Sequence, residues 1–300
     1  MRPRTLGAVL LCVAACDRAS SPAKDNSVSS RRAEPPPAES VAGAPQPKPW
    51  DDDLGRVIAT PSLDSGTPVS FSPDTGGTAG VAVELFSHDD HATNAILHTG
   101  TPIRACAWRR TASVTAGDAR VAPNGWALAL SPGVATPVGV GDVDALSPRD
   151  SAATVARISL LVSGIPEDST SMPYHGLPIV VRDAWQFRLA DSTRVAVAIA
   201  TRSLNVESNP RMQAITLIAE PDPSSASGQW RAVYWERVAG PEDRVEGMDL
   251  LAALELRDTT AAVALVREGD AGLQVEIVQR RSPGAWAVRW SSARIPCASP

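Results

Sequence analysis

The chain has 300 residues, with 28 basic and 33 acidic side chains for a net charge of −5. Mild negative charge without like-charge blocks excludes the basic footprint of a nucleic-acid binder and a basic membrane-surface patch. Lysine occurs only at Lys24 and Lys48, and the arginines are scattered among acids, which fits a GC-rich coding bias better than a set of anion-capturing forks.

At the N-terminus, Arg2 and Arg4 precede a short apolar run that ends in small residues, the pattern of a secretory signal. Asp17 and Arg18 stop this run short of the about 20 apolar residues that a membrane-spanning helix needs, and no later segment is apolar enough. Val13-Ala14-Ala15-Cys16 resembles the lipobox of bacterial lipoproteins. The resemblance covers the signal alone. It implies that residues 1–15 are removed and that Cys16 becomes the mature N-terminus, carrying a diacylglycerol and usually a further acyl chain such as palmitate. Two or more acyl chains anchor a protein stably where one binds marginally, so the expected location is a bacterial cell membrane, lipid-anchored on the periplasmic or extracytoplasmic side. A chance cysteine in an ordinary cleaved signal is the alternative.

Residues 16–75 read as a spacer. Up to about Pro49 the chain is Ser, Ala, Pro and charge, including Pro35-Pro36-Pro37, and Thr60–Gly77 is again Pro, Ser, Thr and Gly. Such a segment has too few large apolar side chains to offset the entropy of ordering, and proline keeps it extended.

Residues 76–300 suffice for one sizeable β-rich domain or two small ones, and a single domain is the expectation. Val81–Phe86, Thr93–His98, Ile103–Trp108 and Trp126–Leu130 look like strands. A helix is predicted next, with Ser147 as N-cap, Pro148 at its first position, Asp150 three residues after the cap, and Ser151–Val162 free of Gly and Pro. Leu177–Val181, Arg194–Thr201, Ala214–Glu220 and Ala232–Val238 follow as short apolar runs between turn clusters. The pattern then recurs, with 177–239 echoed by 247–293. Val195–Arg202 matches Ala261–Glu268, Ala214–Glu220 matches Gln274–Arg280, and Arg231–Trp235 matches Trp286–Trp290. Met248–Leu256 supplies the leading strand of the second copy. The expected fold is mainly β, built of antiparallel meanders in two similar three- to four-strand units with one covering helix, arranged as a sandwich or a partial propeller.

Candidate sites are sparse. His88, His91 and His98 lie close together with Asp89 and Asp90, a plausible divalent-cation set, but Ser87–Ala92 also reads as a hairpin turn between two strands. Asp142, Asp144 and Asp150 lack the glycine and distal glutamate of a calcium loop and read as turn and helix caps. Trp230, Trp235, Trp286 and Trp290 are expected in the core, with Trp286, Val288 and Trp290 on one strand face and Val233 with Trp235 on another. Arg202, Glu207 and Arg211 surround the Asn205–Pro210 loop, as a polar site or a solvated turn. No nucleophile elbow, paired helical histidines or phosphate-cradling glycine loop is present, so neither catalytic residues nor cofactors are expected. The reading is a noncatalytic envelope lipoprotein, structural or partner-binding. The alternative is a tethered ligand- or metal-binding module using the histidine loop or an exposed tryptophan.

Cys12 would leave with the signal and Cys16 would be lipidated, so the exported domain retains Cys106 and Cys297. In an oxidising compartment the pair reads as one disulfide, the alternatives being free thiols or a metal thiolate. A bridge predicts no free thiol on alkylation of the denatured protein, insensitivity to chelators, and a loss of about 2–5 kcal/mol when either cysteine becomes serine.

Overall fold

A computed structural model describes residues 57–59, 69–70, 80–88, 90–102, 110–116, 127–169, 171–205, 209–225, 229–269 and 272–292. All of them lie in one compact unit, Pro45–Pro300. Cys16, Cys106, Cys297, Glu207 and the expected strand Ile103–Trp108 lie outside the described residues.

Among the described residues the fold is mainly β, with three antiparallel sheets and one α-helix. Sheet A runs β2-β1-β6-β3-β4-β5, made of β1 (Val57–Ala59), β2 (Val69–Ser70), β3 (Val81–Phe86), β4 (Thr93–Pro102), β5 (Arg110–Ala116) and β6 (Leu128–Leu130). The first two strands fall inside the expected spacer, and β1 pairs with β2 and with β6. Sheet C holds β8 (Gly141–Asp142), β9 (Val180–Arg188), β10 (Arg194–Leu204), β11 (Arg211–Pro221) and β12 (Trp230–Pro241). Sheet B holds β7 (Ala135–Val138), β13 (Met248–Leu256), β14 (Ala261–Gly269), β15 (Gly272–Ser282) and β16 (Ala285–Ser291). The segment 135–142 pairs first with β13 and then with β9, which ties the edges of sheets B and C together.

Sheet B is covered on both faces. Leu251, Leu254, Ala262, Ala264, Val275, Ile277 and Trp290 pack with Phe86, Leu128 and Leu130 of sheet A. Leu250, Ala253, Val263, Leu265 and Val278 pack with Trp185, Phe187, Val195, Val197 and Ile218 of sheet C. Strands buried on both faces read as near-continuous apolar runs, and for that reason β10 and β14 show almost no alternation. The far face of sheet C is closed by α1 (Pro148–Ser163) through Ile158 and Val162, which meet Ala198, Ala200, Ile215 and Leu217. Ser147 caps this helix as expected. Its Oγ accepts from the Asp150 N–H at 3.2 Å and donates to the Asp150 carboxylate at 2.7 Å, a reciprocal N-terminal lock.

The two four-strand meanders, β9–β12 and β13–β16, close their first hairpins with the same turn. In Leu189–Thr193 and in Leu256–Thr260 the leucine N–H donates to the final threonine carbonyl, at 2.9 and 2.8 Å. The central aspartate accepts from that threonine's N–H, at 2.9 Å for Asp191 and 3.1 Å for Asp258. The fourth residue, Ser192 or Thr259, takes positive φ (67° and 62°), a left-handed conformation uncommon for non-glycine residues. These turns make Val195 the counterpart of Ala262, not of Ala261 as the apolar pattern suggested. A one-residue slip exchanges faces, and Ala261 indeed points at sheet C while Ala262 points at sheet A.

Two bulges overturn the expected tryptophan faces. In β16, Val288 pairs with Val278 and Trp290 with Ile277, which leaves Arg289 as an extra residue. Trp286 therefore faces sheet C and Trp290 faces sheet A. In β12 the extra residue is Val233, and it packs with Tyr234 on the sheet B side while Trp235 points away. Trp286 and Trp290 are buried as expected, Trp230 is half-buried against the helix side, and Trp235 is 40% exposed. The leading strand β9 also lies further on than the expected Leu177–Val181, and it brings in Trp185 and Phe187 as unforeseen core aromatics.

Leu254→Ala, in the doubly covered sheet, is expected to cost about 2–5 kcal/mol in urea unfolding. Leu160→Ala, on the outer face of α1 with a 74% exposed side chain, is expected to change stability by less than about 0.5 kcal/mol.

Candidate functional site

The outer face of sheet C carries a set of buried polar side chains. Arg202 of β10 stands opposite Gln213 of β11. One step along, Ile215 of β11 stands opposite Arg237 of β12. Direct cross-strand partners share a face, and so do residues two apart, which brings Arg202, Gln213, Arg237 and Trp235 onto one surface. The side chains of Arg202 and Arg237 are 6% and 4% exposed, and Gln213 is 0% exposed.

A segment after α1, residues 165–169 and 171–177, covers this surface. Asp168 and Ser171 knit it, since the Ser171 Oγ accepts from the Asp168 N–H at 2.7 Å and the Asp168 carboxylate accepts from the Ser171 N–H at 2.9 Å. Fully buried Tyr174 pins it by donating its hydroxyl to the Met212 carbonyl at 3.1 Å. The segment sets its acids on the arginines. Arg202 Nη1 donates to Glu167 at 3.1 Å, Arg237 Nη1 lies 3.4 Å from the Asp168 carboxylate, and Arg237 Nη2 donates to the Pro166 carbonyl at 3.0 Å. His175 Nδ1 donates to the other Glu167 oxygen at 2.8 Å. That bond, ahead of the Arg202 guanidinium, holds the Glu167 carboxyl below its ordinary range. The Arg237 guanidinium lies 5.2 Å from the centre of the Trp235 ring, within cation–π range.

Between sheets B and C lie two further polar groups. Buried Glu220 takes the Arg280 guanidinium at 2.7 Å, the Trp286 indole N–H at 2.7 Å and the Gly284 N–H at 2.8 Å. Each acceptor position is used, and the cluster joins the two sheets. Arg280 also donates to Asp191 at 2.6 Å and, ahead of other influences, this bond lowers the Asp191 carboxyl to about 2. Nearer the paired Gly269 and Gly272 of β14 and β15, Arg267 pairs with Glu236, with Tyr234 and Glu276 beside them. Burial, then the Glu236 charge, pushes Glu276 up to about 7 against the pull of Arg267. Burial likewise pushes the Tyr234 hydroxyl well above its ordinary value.

The histidines of the Ser87–Ala92 turn do not converge. His88 Nε2 donates to the Leu250 carbonyl at 2.8 Å, and its ring meets Trp185 edge-on at 6.0 Å between centres. His91 is exposed beside Asp90 at 3.5 Å, and His98 lies in β4 opposite Ser113. Among the described residues no three His, Cys, Asp or Glu side chains come together as a metal set. Asp142 accepts from the Asp144 N–H at 2.8 Å in a local turn. Of the polar residues around the Asn205–Pro210 loop, Arg202 is buried in the sheet C face and Arg211 is exposed. Gln213 and Arg237 passed unnoticed in the sequence. The signal that points to Gln213 is a polar residue at the head of the apolar run of β11, whereas Arg237 lies in a strand that also carries Arg231 and Glu236 and does not stand out.

A carboxyl whose folded-state value lies above its unfolded value takes up a proton on folding. Glu276 therefore weakens the fold progressively as pH rises from its ordinary value of 4.5 to about 7, and by a constant amount above. Glu276→Gln is expected to raise stability in urea by about 1–3 kcal/mol at pH 8 and to leave it within about 0.5 kcal/mol at pH 4.

No family model, curated protein or solved structure matches this chain.

Proposed function

We propose that the chain is a lipid-anchored protein of the bacterial cell envelope whose β unit is a noncatalytic, partner-binding module. The observation that carries the anchor is Val13-Ala14-Ala15-Cys16, placed directly after a basic start and a compact apolar run. Binding without catalysis is supported by how the unit uses its buried charges. Glu220 with Arg280, and Arg267 with Glu236, hold sheets together, whereas Arg202 and Arg237 flank a buried amide beside an exposed tryptophan. Arginine and tryptophan are the residues that most often anchor recognition surfaces.

Within the alternative of a tethered ligand-binding module, Trp235 is the better-supported candidate. His88 is engaged with the Leu250 carbonyl, and His91 and His98 do not join it.

Cys16→Ser is expected to abolish incorporation of a radioactive fatty acid and to leave a soluble or unprocessed form. Continued labelling would sink the anchor. A photo-crosslinking residue at position 235 in living cells is expected to yield a discrete higher-mass band that the same residue at position 149, on the exposed side of α1, does not. Equal patterns at both positions would sink the partner-binding face.

A further inference from the structure

We infer that the outer face of sheet C is a latched receptor for a carboxylate adjacent to an N–H, the end group of a peptide chain. This rests on the partner-binding reading of that face and names the chemistry it takes. The argument starts from hydrogen-bond capacity. Arg202 Nε, Arg237 Nε and Gln213 Nε2 are buried and make no hydrogen bond, and Gln213 Oε1 accepts none. Three unbonded donor nitrogens thus stand against one unbonded acceptor oxygen on this face.

A buried donor without an acceptor costs about 1–3 kcal/mol, and apolar residues of the same volume would hold a sheet face at least as well. Stability alone gives no reason to keep these groups. A carboxylate offers two oxygens with about four lone-pair directions, the geometry that guanidinium forks accept. The amide N–H next to a peptide's terminal carboxylate supplies the donor that Gln213 Oε1 lacks. Trp235, at the rim beside Arg237, gives the penultimate side chain a flat apolar wall. Inorganic phosphate would satisfy the donors but offers no neighbouring N–H for Gln213.

Glu167 and Asp168 occupy Arg202 and Arg237 with carboxylates of the chain's own. An incoming carboxylate replaces one of them, so Pro166, Glu167 and Asp168 form the latch and Glu167 is its bolt. Removing the Glu167 charge leaves the floor intact and weakens the competitor.

The test titrates the full-length chain in detergent, by calorimetry, with N-acetyl-alanyl-alanine, its C-terminal amide and inorganic phosphate. The free acid is expected to bind at least about tenfold more tightly than the amide or phosphate, the loss that follows when a charged fork goes unmatched. Glu167→Gln is expected to tighten the acid about threefold or more, and Gln213→Leu to weaken it about tenfold with an unchanged or higher melting temperature. Equal affinity for acid and amide, phosphate matching the acid, or no acid binding by Glu167→Gln would overturn the proposal. Glu167→Gln sits on the covering segment, so the test stands even where Gln213→Leu fails to fold. A crosslink at position 235 together with no acid binding would remove this ligand class and leave the partner-binding face in place.

Discussion

Sheet B has no free face, and the rest of the unit follows from that. Its strands β13 and β14 are apolar toward both neighbours, so sheets A and C each find a complementary surface on it, and neither A nor C needs a second apolar partner of comparable extent. Covering a sheet twice removes apolar area from water on both sides, at roughly 25 cal/mol per Å². It also denies the sheet any polar face, and this is why its strands carry alanine, valine and leucine at consecutive positions. Close approach on both sides favours small residues, and Ala252, Ala253, Ala262 and Ala264 are fully buried.

The charges that enter this interior are placed at its margins. Glu220 is surrounded by three donors from sheet B, so its burial is compensated by hydrogen bonds as well as by Arg280. Glu276 shows the opposite outcome. Glu236 already takes Arg267, and the second carboxyl is left to hold a proton in place of a cation. The outer face of sheet C differs from both, since there Arg202, Arg237 and Gln213 keep unbonded donors even though Glu167, Asp168 and the Pro166 carbonyl reach the two guanidiniums.

Much of the architecture was legible in the sequence because it rests on local signals. Alternation, turn clusters and the Ser147-Pro148-Asp150 cap gave β3, β13, α1 and the order of meanders. What escaped depends on pairing between strands. The bulges at Val233 and Arg289 are invisible to a period-two count, yet each reverses the face of every residue beyond it. The short strands β7 and β8 carry too few residues to show a period, and they acquire strand geometry only from the sheets they border. Arg202 attracted notice as a loop neighbour. Its meeting with Gln213 and Arg237 is a matter of register, which no single strand encodes.

The helix α1 has a further consequence. Because the duplicated turns make the sheet C face toward B equivalent to the sheet B face toward A, the sheets stack head to tail, a relation with no built-in end. Sheet C offers on its far side the same kind of surface that sheet B offers to it, and α1 lies where a further sheet would dock. The helix therefore acts as a terminator. It converts an arrangement that could lengthen by duplication, or propagate from one molecule to the next, into one of fixed size, much as capping units close the ends of repeat proteins.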